Sequence, residues 1–168
     1  NHIRAMLDGV PTDHFDRLFA DIIQSLDARG GLAPMRRLDD RVLIALDGSE
    51  HFCSRKISCP HCSTRKRSDG ETEYFHTFLG ATMVAPGHKT ALPLPPEFVR
   101  PQDGAAKQDC ENRAAKRWLA RVAPAYAGLR PVYLGDDLYA NQPMCQAIQE
   151  AGGAFLLVCK PASHKTLW

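Results

Sequence analysis

Arg41-Val42-Leu43-Ile44-Ala45-Leu46-Asp47-Gly48 is the stretch whose reading decides the fold. Five apolar residues in succession, Val42 to Leu46, followed at once by Asp-Gly, predict a strand buried on both faces that breaks just past Asp47. Asp47 is thereby placed at a strand mouth. The same grammar returns in Pro131-Val132-Tyr133-Leu134-Gly135-Asp136-Asp137, a short apolar strand that again delivers acids at its end. If the two strands are neighbours in one sheet, Asp47 and Asp136 converge where hard oxygen ligands hold Mg2+ or Mn2+ and aim it at phosphate oxygens. The same carboxylates equally fit the capping of a turn or of a following helix.

Working outward, the first forty residues carry a helical pattern. Pro11-Thr12-Asp13 offers a cap before Phe15, Leu18, Phe19, Ile22, Ile23 and Leu26, and Gly30-Gly31 closes the helix. Residues 1–38 are therefore expected to be a helical packing segment without chemistry, and residues 39–168 a core. After Asp47 an irregular stretch over residues 48–71 is dense in Ser, Cys, Arg and Lys. Residues 72–94 then read as two antiparallel strands about the turn Pro86-Gly87-His88, with Pro93, Pro95 and Pro96 opening a linker. A helix is predicted from roughly residue 105 to 122, with Ala106, Cys110, Ala114, Trp118, Leu119 and Val122 on one face and Arg113, Lys116 and Arg117 on its flank. The Asp136 strand follows, then a helix over residues 143–150, a strand over residues 154–159, and Ser163-His164-Lys165 as the opening of another helix.

Composition narrows the function classes. The 168 residues are 44% hydrophobic and 24% charged, enough for one ordinary core, and no apolar run is long enough to span a bilayer. A net charge of +2 gives little general attraction to nucleic acid, so any such binding must rest on local clusters. Six unevenly spaced cysteines with no basic-then-apolar leader favour reduced thiols and a cytoplasmic setting.

Three further groups of residues carry chemistry. Cys59-Pro60-His61-Cys62 has the two-residue gap that lets both thiolates of a turn reach one Zn2+, and His76, Cys53, His51 and His61 are the residues able to complete the set. His76, at the start of the next strand, is the best placed distant ligand. Arg55, Lys56, Arg65, Lys66 and Arg67 gather after Asp47, and Lys160 and Lys165 follow the last strand, where they can hold a DNA backbone without reading its sequence. Glu111 falls on the same helical side as Ala114, Trp118 and Val122, facing the presumed sheet, where an acid requires a partner.

Taken in succession these motifs resemble the DD(E) transposases of bacterial insertion sequences. The resemblance rests on Leu46-Asp47-Gly48-Ser49-Glu50-His51-Phe52, the Lys56-Ile57-Ser58-Cys59-Pro60-His61-Cys62 loop, Gln108-Asp109-Cys110-Glu111 with Arg117-Trp118, Gly135-Asp136-Asp137-Leu138-Tyr139, and Cys159-Lys160-Pro161-Ala162-Ser163-His164-Lys165. It implies an α/β, ribonuclease-H-like mixed sheet flanked by helices. It also implies Asp47 and Asp136 as the first two catalytic acids, Mg2+ or Mn2+ as cofactor, transposon and target DNA as partners, and a homodimer in a full-length protein. Asp136 is preferred to Asp137 because the family's second motif places an aromatic three residues on, as Tyr139 is. The family's third acid, a helical glutamate after the last core strand, has no counterpart before Trp168, so the core is expected to be incomplete. Two other readings stay open: a DNA-binding remnant with a zinc knuckle, and a ribonuclease-H-like nuclease completed by Glu111, since such nucleases carry a glutamate on this helix.

Overall fold

The computed structural model describes residues 10–100 and 107–166, the side chains of Thr12 and of residues 107–110 excepted. Seven strands form one mixed sheet: β1 (Leu43–Ser54), β2 (Ser63–Lys66), β3 (Thr72–Val84), β4 (Leu92–Pro93), β5 (Glu97–Phe98), β6 (Val132–Gly135) and β7 (Ala154–Leu157). Among the described residues three α-helices, α1 (Asp16–Ala28), α2 (Lys107–Arg121) and α3 (Gln142–Glu150), flank it. The strand order is β2-β3-β1-β6-β7, with β4 and β5 also paired to β3. β1 runs antiparallel to β3 and parallel to β6, which is in turn parallel to β7.

The Asp47 strand does not break where the sequence suggests. β1 continues seven residues past Asp47 because β3 pairs with it from Leu43 opposite Val84 to Ser54 opposite Tyr74. What ends near Asp47 is the parallel half of the sheet: β1 and β6 pair only through Leu43–Val132, Ile44–Tyr133 and Ala45–Leu134. Nor is the following stretch wholly irregular, since Ser63–Lys66 joins the far edge of β3. The proline-rich linker likewise yields a two-residue strand, with Phe98 opposite Phe78.

Alternation sorts the side chains of β3 into two faces. Glu73, Thr77, Leu79, Ala81 and Met83 are buried, while Tyr74, His76 and Phe78 on the other face are partly exposed. The buried face meets α2, whose Ala114, Ala115, Trp118, Leu119 and Val122 are closed from solvent, as the helical pattern predicts. Trp118 packs edge-on against Tyr133 of β6 and donates from its indole to the Pro95 carbonyl. Cys110 and Ala106, expected on the same face, lie outside the described residues or side chains.

α1 begins after a 3-10 turn, Thr12–Phe15, and neither element has a side-chain cap, contrary to the expected role of Pro11-Thr12-Asp13. Its end is as read: Gly30, at φ 73°, and Gly31 donate to the Asp27 and Leu26 carbonyls, closing the helix in a Schellman turn. Ile23 is buried and Arg121 pairs with Asp16, but Leu18 and Ile22 are half exposed. Between this segment and β1, Leu38, Asp39 and Asp40 all take positive φ, and Arg37 and Arg41 close the loop with mutual backbone hydrogen bonds of 2.7 Å. At the other end, residues 161–166 form turns rather than the opening of a helix.

Candidate functional site

The parallel register places the two strand-end acids. Ala45 lies opposite Leu134, and Asp47 and Asp136 each follow two residues later, so they leave adjacent strands at the same level and on the same face. Both are exposed. Gly48, the next residue of β1, pairs with Leu79 and so takes the α2-facing side rather than that of Asp47: a Cβ built there would meet Cδ of Glu111 at 2.6 Å and both of its carboxylate oxygens at 2.8 Å. Glu111 is buried, as the helical wheel predicts, and its carboxylate occupies the space that any side chain at position 48 would need.

Tyr139 lies near all three acids. It is 1% exposed, with its ring against Gly135, and the charges of Glu111, Asp47 and Asp136 all act on its phenol. Burial first, and then those charges, push its ionisation far above the ordinary tyrosine range, so it stays a neutral hydroxyl. The trio is nonetheless more open than a closed metal cage: among the described residues the acids do not form a group with all ligand atoms within 4.8 Å of one another.

Asp136 and Asp137 have different work. Asp136 accepts from the Leu138 amide, a local turn bond that leaves the carboxylate at the surface. Asp137 accepts from the Ser163 hydroxyl at 2.6 Å and the Lys160 amide at 2.7 Å, and His164 Nε2 lies 3.1 Å away. These bonds, the serine's foremost, hold its carboxyl below the usual range. Asp137 thus ties the loop after β7 to the end of β6 through the Lys160 amide and the Ser163 hydroxyl. The sequence reading missed this tether, whose signal was an acid doublet after one strand and a Ser-His pair after its neighbour.

A second site lies on the partly exposed face. Cys59 Sγ and Cys62 Sγ are 3.6 Å apart and lie 3.2 and 3.3 Å from His76 Nε2. Together the three are a group able to hold a metal ion. The Cys59 amide donates to Cys62 Sγ and the Cys62 amide to the Cys59 carbonyl, so a tight turn presents both sulfurs to β3. Burial, then the charges of His51 and His61, lower the pKa of His76 and favour the neutral imidazole that a metal requires.

Cys53, expected as a further ligand, is turned away. It sits opposite Phe75 on the other face of the sheet, and Arg65 donates to its Sγ at 3.6 Å. The basic cluster also divides. Arg65 pairs with Glu50 and Glu73, Arg67 with Glu73, and Arg55 with Glu71, so these guanidiniums are committed to carboxylates rather than standing as free positive charge. Lys56, Lys66, Lys160 and Lys165 are exposed. Glu73, the buried hub of that network, was unremarkable in the sequence because its two arginines approach across a strand pair.

No helix among the described residues is long and apolar enough to cross a membrane. Comparison with protein-family models, with curated proteins and with solved structures yields no match.

Proposed function

We propose that the chain carries a ribonuclease-H-like site for metal-dependent phosphodiester chemistry on DNA, of the transposase type that its motifs resemble, with Asp47, Asp136 and Glu111 as its acids. One observation carries the reading: adjacent parallel strands deliver Asp47 and Asp136 at one level while α2 lays the Glu111 carboxylate on Gly48. The strand order, with an antiparallel β1–β3 pair continued by parallel β6 and β7, supports the same fold assignment.

An all-oxygen donor set of this kind fits Mg2+ or Mn2+, and such an ion, when bound, activates the attacking oxygen and stabilises the leaving one. The residues supply the rest. Asp47, within β1, and Asp136, just past the end of β6, offer exposed carboxylates, and Gly48 leaves the Glu111 carboxylate room against β1. Lys160, exposed and anchored by its amide to Asp137, is the lysine we assign to a phosphate of the same strand. For the second site, zinc is the ion that a Cys-Cys-His set selects.

The openness of the acid trio favours one competing form of this reading, in which the third acid lies beyond Trp168 and Glu111 is a structural acid. Plasmid nicking in Mg2+ or Mn2+ separates them. Cleavage by the chain that disappears in Asp47→Asn, Asp136→Asn and Glu111→Gln supports the proposal. Cleavage that persists in Asp47→Asn overturns it. An inert chain that becomes active only when extended, and is then indifferent to Glu111→Gln, transfers the third role elsewhere.

A further inference from the structure

We propose that His51, the extra residue of a β-bulge in β1, is the fourth ligand of the Cys59–Cys62–His76 metal site, making it a closed structural zinc clasp across β1, the cysteine turn and β3. The inference rests on the zinc reading of the three residues above.

The spacing of these three residues already matches a tetrahedron. With Zn–S near 2.3 Å and Zn–N near 2.0 Å, its S–S edge is about 3.8 Å and its S–N edges about 3.5 Å. The observed separations are 3.6, 3.2 and 3.3 Å, slightly contracted around the same centre. Structural zinc is four-coordinate, so one position remains to be filled from nearby.

The bulge supplies the residue. Pairing of β1 with β3 runs Glu50–Thr77 and then Phe52–His76, so His51 is left without a partner. In a regular strand His51 and Phe52 would point to opposite faces; the insertion puts both on the face of His76. The His51 ring lies 5.8 Å from that of His76 and Phe52 lies 5.7 Å from it. Two imidazoles bound to one tetrahedral ion have ring centres about 5 Å apart, so a small turn of the His51 side chain suffices. Its edge-on contacts with Phe78 and Phe98, at 5.6 and 5.7 Å, hold the exposed imidazole against this face of the sheet. His61 is the other histidine nearby; it lies within the cysteine turn itself, and only His51 has a ring contact with His76 among the histidines described. Cys53 is on the opposite face.

The test uses the full chain purified without chelator and reloaded with Zn2+ or Co2+. X-ray absorption of the zinc-loaded unmutated protein is expected to show two sulfur and two imidazole ligands. His51→Ala is expected to weaken Zn2+ ten- to a hundredfold in competition with a chromophoric chelator and to change the Co2+ ligand-field bands, while His61→Ala does neither. One imidazole in the unmutated protein, or loss in His61→Ala instead of His51→Ala, overturns the assignment of His51 and leaves the three-residue site standing. Failure of the unmutated chain to bind either metal overturns both.

Discussion

Gly48 illustrates how one missing side chain can decide a site. Glu111 reaches β1 because nothing at position 48 stands in its way, and a methyl there would sit 2.6 Å from its carboxyl carbon. The obstructed group is the far end of a flexible side chain, so Gly48→Ala is expected to move Glu111 rather than unfold the sheet. On the proposed function, cleavage should fall about ten- to a hundredfold, the usual cost of disturbing the support of a metal ligand, with the melting temperature little changed. Asp136 and Asp137 should part company in the same assays. Asp136→Asn is expected to abolish cleavage while leaving the melting curve in place. Asp137→Asn loses the full carboxylate that Ser163, His164 and the Lys160 amide share, so it should lower the melting temperature and expose residues 160–164 to proteolysis. Equal effects of the two substitutions on melting would refute that division.

At the scale of elements, the loop before β1 is the most strained part of the backbone. Leu38, Asp39 and Asp40 lie at φ 48°, 59° and 66°, where a side chain costs roughly 1–2 kcal/mol per residue. The loop persists because Arg37 and Arg41 close it and Arg130 donates to the Asp39 carbonyl. Leu38 is 55% exposed and has little packing to lose. Leu38→Gly is therefore expected to stabilise the protein by about 0.5–1 kcal/mol, the relief of strain exceeding the added freedom of the unfolded chain. Urea unfolding of the two proteins decides it, and a lower midpoint for the variant would show that the loop is held without strain.

For the whole molecule, acid stability should report the network on β2 and β3. Glu73 is held at about 2, first by Arg67, then by the Cys53 thiol and Arg65. A free glutamate titrates near 4.3. Because the folded value is the lower one, the stabilisation is complete above the unfolded pKa and is lost as pH falls through the window from about 4.3 toward about 2. Glu73→Gln should be less stable than the unmutated protein at pH 7 and should show a flatter decline across that window. Parallel stability curves for the two would rule out Glu73 as the source of the acid sensitivity.

Elements whose burial follows a local period were legible in the order of residues along the chain. The strand at Val42 to Leu46, the apolar face of α2 through Trp118 and Val122, and the inward side of Glu111 are all consequences of alternation or helical spacing within one segment. The Cys59–Cys62 gap was legible for the same reason, since a turn brings both thiols together without outside help. Tertiary structure alone decided the rest. β1 outlasts its own break signal because a thirteen-residue β3 supplies hydrogen bonds along its whole length. Cys53 leaves the metal set because a single bulge moves it to the opposite face, while His51 keeps the His76 face that the pairing of β1 with β3 gives it. Arg65 and Arg67 are drawn into ion pairs by a glutamate on the neighbouring strand. Each of these depends on which residues stand opposite one another across strands, a relation set by the register of distant segments and invisible in the local order of the chain.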